Sequence, residues 1–132
     1  MSEALLLRER IETIERGYEF LLAYAAQGRQ EDRGTELRPR LSEMHEALGH
    51  MEGALRAGFA GIDPRFGIEP FLAAMERDVA AARGAIGIVL SREVISSLLV
   101  DNLNANVHLR ALLTDVFLVE QALKSPAHAG GR

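Results

Sequence analysis

Hydrophobic residues recur three and four positions apart along three long stretches of the chain. The first stretch carries Leu7, Ile11, Ile14, Tyr18, Leu21 and Ala25. The second carries Leu37, Leu41, Met44, Leu48, Met51 and Leu55. The third carries Ile68, Leu72, Met75, Val79, Ala82, Ile86 and Val89. Because residues at this spacing share one face of an α-helix, whereas a strand needs a period of two, each stretch predicts an amphipathic helix.

A fourth stripe follows, out of phase with the third by two residues. It carries Ile95, Leu98, Asn102, Ala105, Leu109, Leu112, Val116, Val119 and Leu123. The phase shift predicts an interruption between Val89 and Ile95, and we place the boundary of the third helix there. Two alternatives remain open: an earlier end at the glycines of residues 84–87, or a helix that continues toward residue 100 and turns within 101–106.

The connections are predicted from residues that cap helices or break them. Ser2 is the expected cap of the first helix, and the polar segment 28–34, with glycine at both ends, is the expected loop after it. Thr35 is the expected cap of the second helix, which runs to about Gly58. The segment 61–67 contains Asp-Pro and two glycines, which predicts a turn before the third helix.

These elements predict an all-α protein, because helices joined by short loops usually pack antiparallel. The expected architecture is an up-down antiparallel four-helix bundle, with a fifth short helix near 91–100 as a variant. The chain of 132 residues, with 48% hydrophobic and 26% charged residues, fits a single globular domain. That domain is expected to span 1–124, followed by a flexible tail over 125–132 that has nothing to bury.

Composition and charge exclude several partners. The net charge is −4, and no run of Lys or Arg forms the basic stripe that nucleic acids require. The chain has no cysteine, which removes disulfides and thiol chemistry. The N-terminal segment lacks the pattern of a secretory signal, and no window is long and apolar enough to predict a membrane span. We therefore expect a cytoplasmic protein that binds neither nucleic acid nor membranes.

A candidate polar site lies on the predicted last helix. Asp101, His108 and Asp115 recur at intervals of seven along one flank of the stripe, and Asn102 falls within the stripe itself. The candidate ligand-binding residues are Asp101, Asn102, Asn104 and His108, completed by His45 from the second helix. The alternative is structural, with Asn102 as a buried register-setting group or a helix cap and the others in solvent.

Other enzyme and metal patterns are missing from the sequence. No Glu-x-x-His pair of the di-iron bundles occurs, and Glu46 with His50 is expected on the solvent face as an ordinary pair four residues apart. No nucleophile elbow or complete phosphate loop occurs. We therefore predict no metal, no cofactor and no catalytic residue.

Some apolar surface exceeds what one bundle can cover. The segments 20–26 and 116–119 are apolar around the whole helix, so one side of each should be covered by something outside its own helix pair. That cover is a second copy of the chain, another protein, or the loop that carries Phe59, Ile62 and Phe66, and the alternative is a well-buried central helix in a monomer. The expected contacts of such a surface are Phe59, Phe66, Phe117 and Leu118. The sequence favours a non-enzymatic interaction protein, such as an adaptor, assembly factor or regulatory subunit, that self-associates as a homodimer or binds another protein. The alternative is a small-ligand- or metal-binding helical bundle that uses the polar site.

Overall fold

A computed structural model describes residues 3–126 of the protein, and its regular structure there is entirely helical, without a strand. The α-helices are α1 (Glu3–Ala25), α2 (Leu37–Gly58), α3 (Glu69–Leu90), α4 (Ser97–Ala105) and α5 (Val107–Lys124), with a 3-10 turn at Pro64–Phe66. The all-α prediction is confirmed. Within the described range, no helix combines the length and apolar character needed to cross a bilayer.

The predicted stripes form the core. Every stripe position of α2 is fully inaccessible to solvent, and the stripe positions of α1 and α3 are buried or half-buried. The helix α1 packs against α2, α2 packs against α3, α3 packs against α5, and α4 contacts α1. The helices therefore lie side by side around one continuous hydrophobic core.

The described residues after α3 form two helices, where the sequence predicts one long helix. The interruption predicted between Val89 and Ile95 is confirmed, since α3 ends at Leu90 and Ser96 caps α4 by accepting a hydrogen bond from the N–H of Leu99 at 3.1 Å. A second break follows at Asn106, whose backbone is extended (φ −61°, ψ 129°). Its side-chain oxygen accepts hydrogen bonds from the N–H groups of residues 108 and 109, which starts α5. The short fifth helix exists, but it spans Ser97–Ala105 and not 91–100.

The break at Asn106 makes part of the predicted fourth stripe wrong. Leu98 is 69% exposed, and Asn102 and Ala105 are also exposed. The residues of α4 that are buried are Ser97, Val100, Leu103 and Asn104. The predicted stripe treats α4 and α5 as one continuous helix. Because the extended residue Asn106 separates the two helices, α4 is rotated relative to that prediction and buries a different face.

Two predicted helix starts change as well. Glu36 is the N-cap of α2, and Thr35 lies one position earlier, where its hydroxyl accepts a hydrogen bond from the N–H of Leu37 at 3.3 Å. The predicted cap Ser2 and most of the predicted tail lie outside the described residues. Helix α1 ends at Ala25, and Gly28 follows in the left-handed conformation (φ +64°) that glycine adopts without strain.

Candidate interaction site

An open cleft with an entirely apolar lining lies where the end of α2 and the start of α3 meet the end of α5. Its volume is about 220 Å³. The lining residues are Phe59, Ile62, Ile68, Phe71, Leu72, Leu118, Val119 and Ala122. We call this set the apolar cleft. It is a place where the core of the molecule reaches the surface, since Leu72 and Val119 belong to the buried stripes.

The connection between α2 and α3 builds one wall of the apolar cleft. Pro64 starts the 3-10 turn, and the carboxylate of Asp63 caps it by accepting a hydrogen bond from the N–H of Arg65 at 2.9 Å. Gly67 ends the turn in the left-handed conformation (φ +66°). This turn returns the chain toward α3, so that Ile62 reaches the cleft while it stays 39% exposed.

Two further clefts adjoin the first and share Phe59 and Ile62 with it. One, of about 260 Å³, extends past Pro64 toward the start of α3. The other, of about 460 Å³, extends past Phe66 toward the end of α5. The apolar cleft is therefore the middle of a longer furrow across this end of the molecule.

Ion pairs border the furrow. The guanidinium of Arg56 donates hydrogen bonds to the carboxylates of Glu69 and Glu76, the latter at 2.9 Å, which ties the end of α2 to the start of α3. The bond from Arg56 lowers the pKa of Glu69, and the bonds from Arg65 lower the pKa of Asp63. Both carboxyl groups therefore stay ionised at neutral pH, and an apolar furrow with a charged rim results.

The opposite ends of α2 and α3 are joined by a polar network. Arg38, in the first turn of α2, donates hydrogen bonds to the carbonyl groups of Leu90, Arg92 and Glu93, at 3.3, 2.6 and 2.7 Å. It also pairs with Asp32 at 2.8 Å. Because the last carbonyls of a helix have no partner within it, Arg38 satisfies acceptors at the end of α3 and beyond.

The side chains of Tyr24 and Ser97 and the backbone N–H of Arg29 complete this network, which we call the polar clasp (Tyr24, Arg29, Asp32, Arg38 and Ser97). The hydroxyl of Tyr24 donates to the carbonyl of Ile95 at 2.6 Å, and the hydroxyl of Ser97 donates to the carbonyl of Tyr24 at 2.7 Å. Ser97 also accepts from the N–H of Arg29 at 2.8 Å. The polar clasp therefore fixes the connection between α3 and α4 on the end of α1.

Asp32 carries the negative charge of the polar clasp. Burial opposes its ionisation, but hydrogen bonds from the N–H of Ile95 and from Arg38 outweigh burial and lower its pKa. Burial, followed by the charge of the same carboxylate, raises the pKa of Tyr24. Asp32 is therefore charged and Tyr24 neutral at neutral pH, which suits their roles as acceptor and donor.

The structure does not bring the predicted polar site together. Asp101 and Asn102 are exposed on α4, whereas the amide of Asn104 is buried and donates to the carbonyl of Leu21 in α1. His108 lies beyond the helix break, with its Nδ1 3.7 Å from Asp78 of α3. The seven-residue spacing of Asp101 and His108 puts them on one face only if a single helix contains both. The break at Asn106 separates them into two helices.

His45 is also remote from the rest of that predicted site. It lies against Gly87 of α3, nine residues along the helix from Asp78, which His108 faces. A rise of 1.5 Å per residue makes that separation roughly 13 Å, too far for one bound ion. Among the described residues, no group of three His, Cys, Asp or Glu side chains is placed to hold a metal.

The predicted interaction residues are placed differently. Phe59 and Leu118 line the apolar cleft, and Phe66 lines the adjoining one. Phe117 is 53% exposed on α5 beside Leu118, outside the lining. Sequence reasoning assigned Ile68, Leu72 and Val119 to the core and did not expect them in an open cleft. The turn residues at 61–67 predict the connection that forms one wall of the apolar cleft. Which helix end lies opposite that wall depends on the tertiary packing.

Comparison with models of protein families, with curated proteins and with solved structures gives no match for this chain. Its function therefore has to be inferred from its own geometry.

Proposed function

We propose that this chain is a non-enzymatic cytoplasmic interaction protein that pairs with a second copy of itself through the apolar cleft. The observation that carries the proposal is the cleft itself, an opening of about 220 Å³ lined by apolar residues alone. Exposed apolar surface of this kind, with a polar rim, is typical of protein interaction sites.

We propose a second copy of the chain as the partner in the apolar cleft, because this one surface offers both a cavity and protruding side chains. Leu118 is 60% exposed, and its neighbour Phe117 is 53% exposed. A cavity of about 150 Å³ holds a benzene molecule, so the apolar cleft has room for a large side chain. In a twofold dimer each chain uses the same patch, so the protruding residues of one copy can enter the cavity of the other.

The charges around the furrow permit this pairing. The rim carries both signs, already paired within the chain: Arg56 with Glu69, and Arg65 with Asp63. Like charges facing one another across an interface would oppose association. A rim of paired charges lets two copies approach without that repulsion.

The arrangement of the helices that we propose is an up-down bundle in which α4 and α5 share the fourth position. Leu7, near the start of α1, lies against Gly58 at the end of α2. Arg56, at the end of α2, pairs with Glu69 at the start of α3. These contacts support antiparallel neighbours, and they place the apolar cleft and the polar clasp at opposite ends of the bundle.

The test is the molar mass in solution, measured by light scattering at micromolar concentrations. We expect about twice the 14.5 kDa of one chain for the natural sequence. Leu118→Asp should reduce the mass to that of a single chain, because it places a charge in the apolar cleft. The matched control is Leu98→Asp, which changes a leucine that is 69% exposed on α4 and should keep the dimer.

Two results would contradict the proposal. One is a single-chain mass for the natural sequence across the whole concentration range. The other is dissociation by Leu98→Asp together with an unchanged mass for Leu118→Asp, which would place the interface on α4. Circular dichroism of each variant confirms that the helices are intact.

A further inference from the structure

Among the described residues, polar side chains line the furrow only at its two ends. Its middle is the apolar cleft, and the residues that line the cleft contribute no polar atom. One end of the furrow reaches Arg56 and Glu69, and the other end reaches Ser125. Phe59 and Ile62 line all three parts, so the furrow is continuous from one polar end to the other.

The lining of the middle is unfavourable for ligands that carry polar groups along their length. A peptide segment has an N–H and a C=O group in nearly every residue, and each would lose its hydrogen bonds to water here without gaining a partner. An unbranched alkyl chain has no polar group between its ends, and its burial is favourable because apolar surface leaves water. The chemistry of the furrow therefore matches a ligand with an apolar middle and a polar end.

The size of the apolar cleft sets the length of that alkyl chain. A cavity of about 150 Å³ holds the six carbons of benzene, which is roughly 25 Å³ per carbon. At the same density the apolar cleft, with about 220 Å³, takes about nine carbons. The cleft is also open along one side, since Ile62 is 39% and Leu118 is 60% exposed. An alkyl chain can therefore enter the cleft while the helices stay packed.

We propose that the furrow binds the alkyl chain of an amphiphilic small molecule, with about nine carbons in the apolar cleft and the polar head at one end of the furrow. The polar groups at both ends already have partners within the protein. Arg56 pairs with Glu69 and Glu76, and the hydroxyl of Ser125 donates to the carbonyl of Gln121 at 3.0 Å. Neither end therefore selects a particular head, and the alkyl chain supplies the affinity.

The alkyl chain and the second copy of the protein compete for the same space. In the proposed dimer, side chains of one copy enter the apolar cleft of the other, and a bound alkyl chain fills that cleft. Saturation with the ligand therefore dissociates the dimer. This consequence rests on the proposed function, whereas the binding of the alkyl chain depends only on the furrow.

The first experiment is isothermal titration calorimetry of the full chain at pH 7.5. The probes are unbranched saturated carboxylates with alkyl chains of about five to about twelve carbons, a range centred on the length that the cleft volume allows, used below the concentrations at which they form micelles. Burial of one methylene group raises the affinity by at most about fourfold, and we expect about twofold to threefold because the cleft is open on one side.

We expect this increase with each added carbon up to about nine carbons, and a much smaller increase beyond that length, where the alkyl chain leaves the apolar cleft. We call this length the affinity limit. Competition from the second copy lowers the affinity for every probe equally, so it does not change the affinity limit.

The variant Ala122→Leu tests whether the apolar cleft sets the affinity limit. Leucine adds three carbon atoms to the lining, so the affinity limit should fall from about nine carbons to about six. The matched control is Ala80→Leu, which adds the same group on the exposed side of α3 and should leave the affinity limit unchanged. A change in the limiting chain length distinguishes binding in the cleft from a general weakening of the fold.

Two results would overturn the proposal. One is the absence of saturable binding for every probe. The other is an affinity that keeps rising by the same factor up to the longest probe, both in the natural sequence and in Ala122→Leu, because adsorption to apolar surface in general has no limiting length.

Light scattering with and without a saturating probe of about nine alkyl carbons separates this proposal from the proposed dimer. A dimer that changes to a single-chain mass at saturation supports both. A single-chain mass without the probe, together with the expected affinity limit, contradicts the dimer and supports the alkyl site. A dimer that binds no probe does the reverse, and a dimer that persists at saturation refutes the competition.

Discussion

The two ends of α2 and α3 are completed in different ways. At the polar clasp, Arg38 and Asp32 satisfy backbone groups of the connection after α3. At the apolar cleft, Phe59 and Ile62 cover only part of the core, and ion pairs lie along the rim instead of the middle. The first end is held by hydrogen bonds within one chain, and at the second the proposed dimer would complete the burial of the apolar lining.

Under the proposed function, this difference separates the residues that stabilise the fold from those that bind the second copy. Polar groups that are already hydrogen-bonded within one chain add little to the affinity for a partner. Burial of apolar surface, in contrast, lowers the free energy whenever that surface leaves water. Substitutions at the polar clasp should therefore change the free energy of unfolding. Substitutions at the apolar cleft should change association.

The largest effect is expected from Arg38→Met in the polar clasp. Methionine keeps an apolar stem but removes the donor to three carbonyl groups and the positive charge that pairs with Asp32. We expect a loss of about 3 kcal/mol in the free energy of unfolding, measured by urea denaturation. Arg33→Met is the control, because the Arg33 side chain is 88% exposed and should contribute much less to the free energy of unfolding. A loss no larger than that of the control would mean that the polar clasp does not hold this end together.

A smaller, pH-dependent effect is expected from Asp32→Asn. The amide oxygen can still accept from the N–H of Ile95, but the charge that pairs with Arg38 is lost. We expect a cost of about 2 kcal/mol at pH 7. Because the native pKa of Asp32 is lowered, its stabilisation is present above the unfolded pKa and is lost as the pH falls through the native value.

Urea denaturation of Asp32→Asn and of the natural sequence between pH 7 and pH 3 measures this dependence. The difference between the two proteins should shrink steadily below pH 4. Glu31→Gln, in the same loop with an exposed side chain, is the control. A difference that stays constant with pH would show that the charge of Asp32 does not contribute.

The smallest effect on unfolding is expected at the apolar cleft. Ala122→Leu adds apolar volume to the lining and so fills part of the cavity. We expect a change below about 0.5 kcal/mol in the free energy of unfolding of the single chain, together with a weaker dimer by light scattering. Ala80→Leu, on the exposed side of α3, is the control for helix propensity. A dimer of unchanged strength in Ala122→Leu would place the interface elsewhere.

Much of the fold could be predicted because the stripes are local. The six stripe positions of α2 are all buried, and the end of α2 at Gly58 is found where the sequence places it. The start of α3 is also well predicted, since Pro70 lies in its first turn. Turn residues and helical spacing involve residues only a few positions apart in the sequence. Helical hydrogen bonds join residues over the same short separation, so local sequence is enough to predict them.

The candidate sites were predicted less well. The predicted interaction residues Phe59, Phe66 and Leu118 line the furrow. The structure does not bring the residues of the predicted polar site together, because one capping residue, Asn106, divides the last helix and leaves Asn102 exposed to solvent. An asparagine such as Asn106 can lie inside a helix or cap the start of a new one, and the neighbouring residues in the sequence do not determine which of the two occurs.

The sequence by itself determined that this chain forms helices, where three of them begin and end to within a few residues, and which faces they bury. Only the tertiary structure decided that Asn104 and Ser97 are buried, that His108 faces Asp78, and that the ends of α2, α3 and α5 leave a cleft open. The reason is physical. Helical hydrogen bonds join residues four apart, whereas these contacts join residues tens of positions apart, and they exist only after whole helix faces have packed.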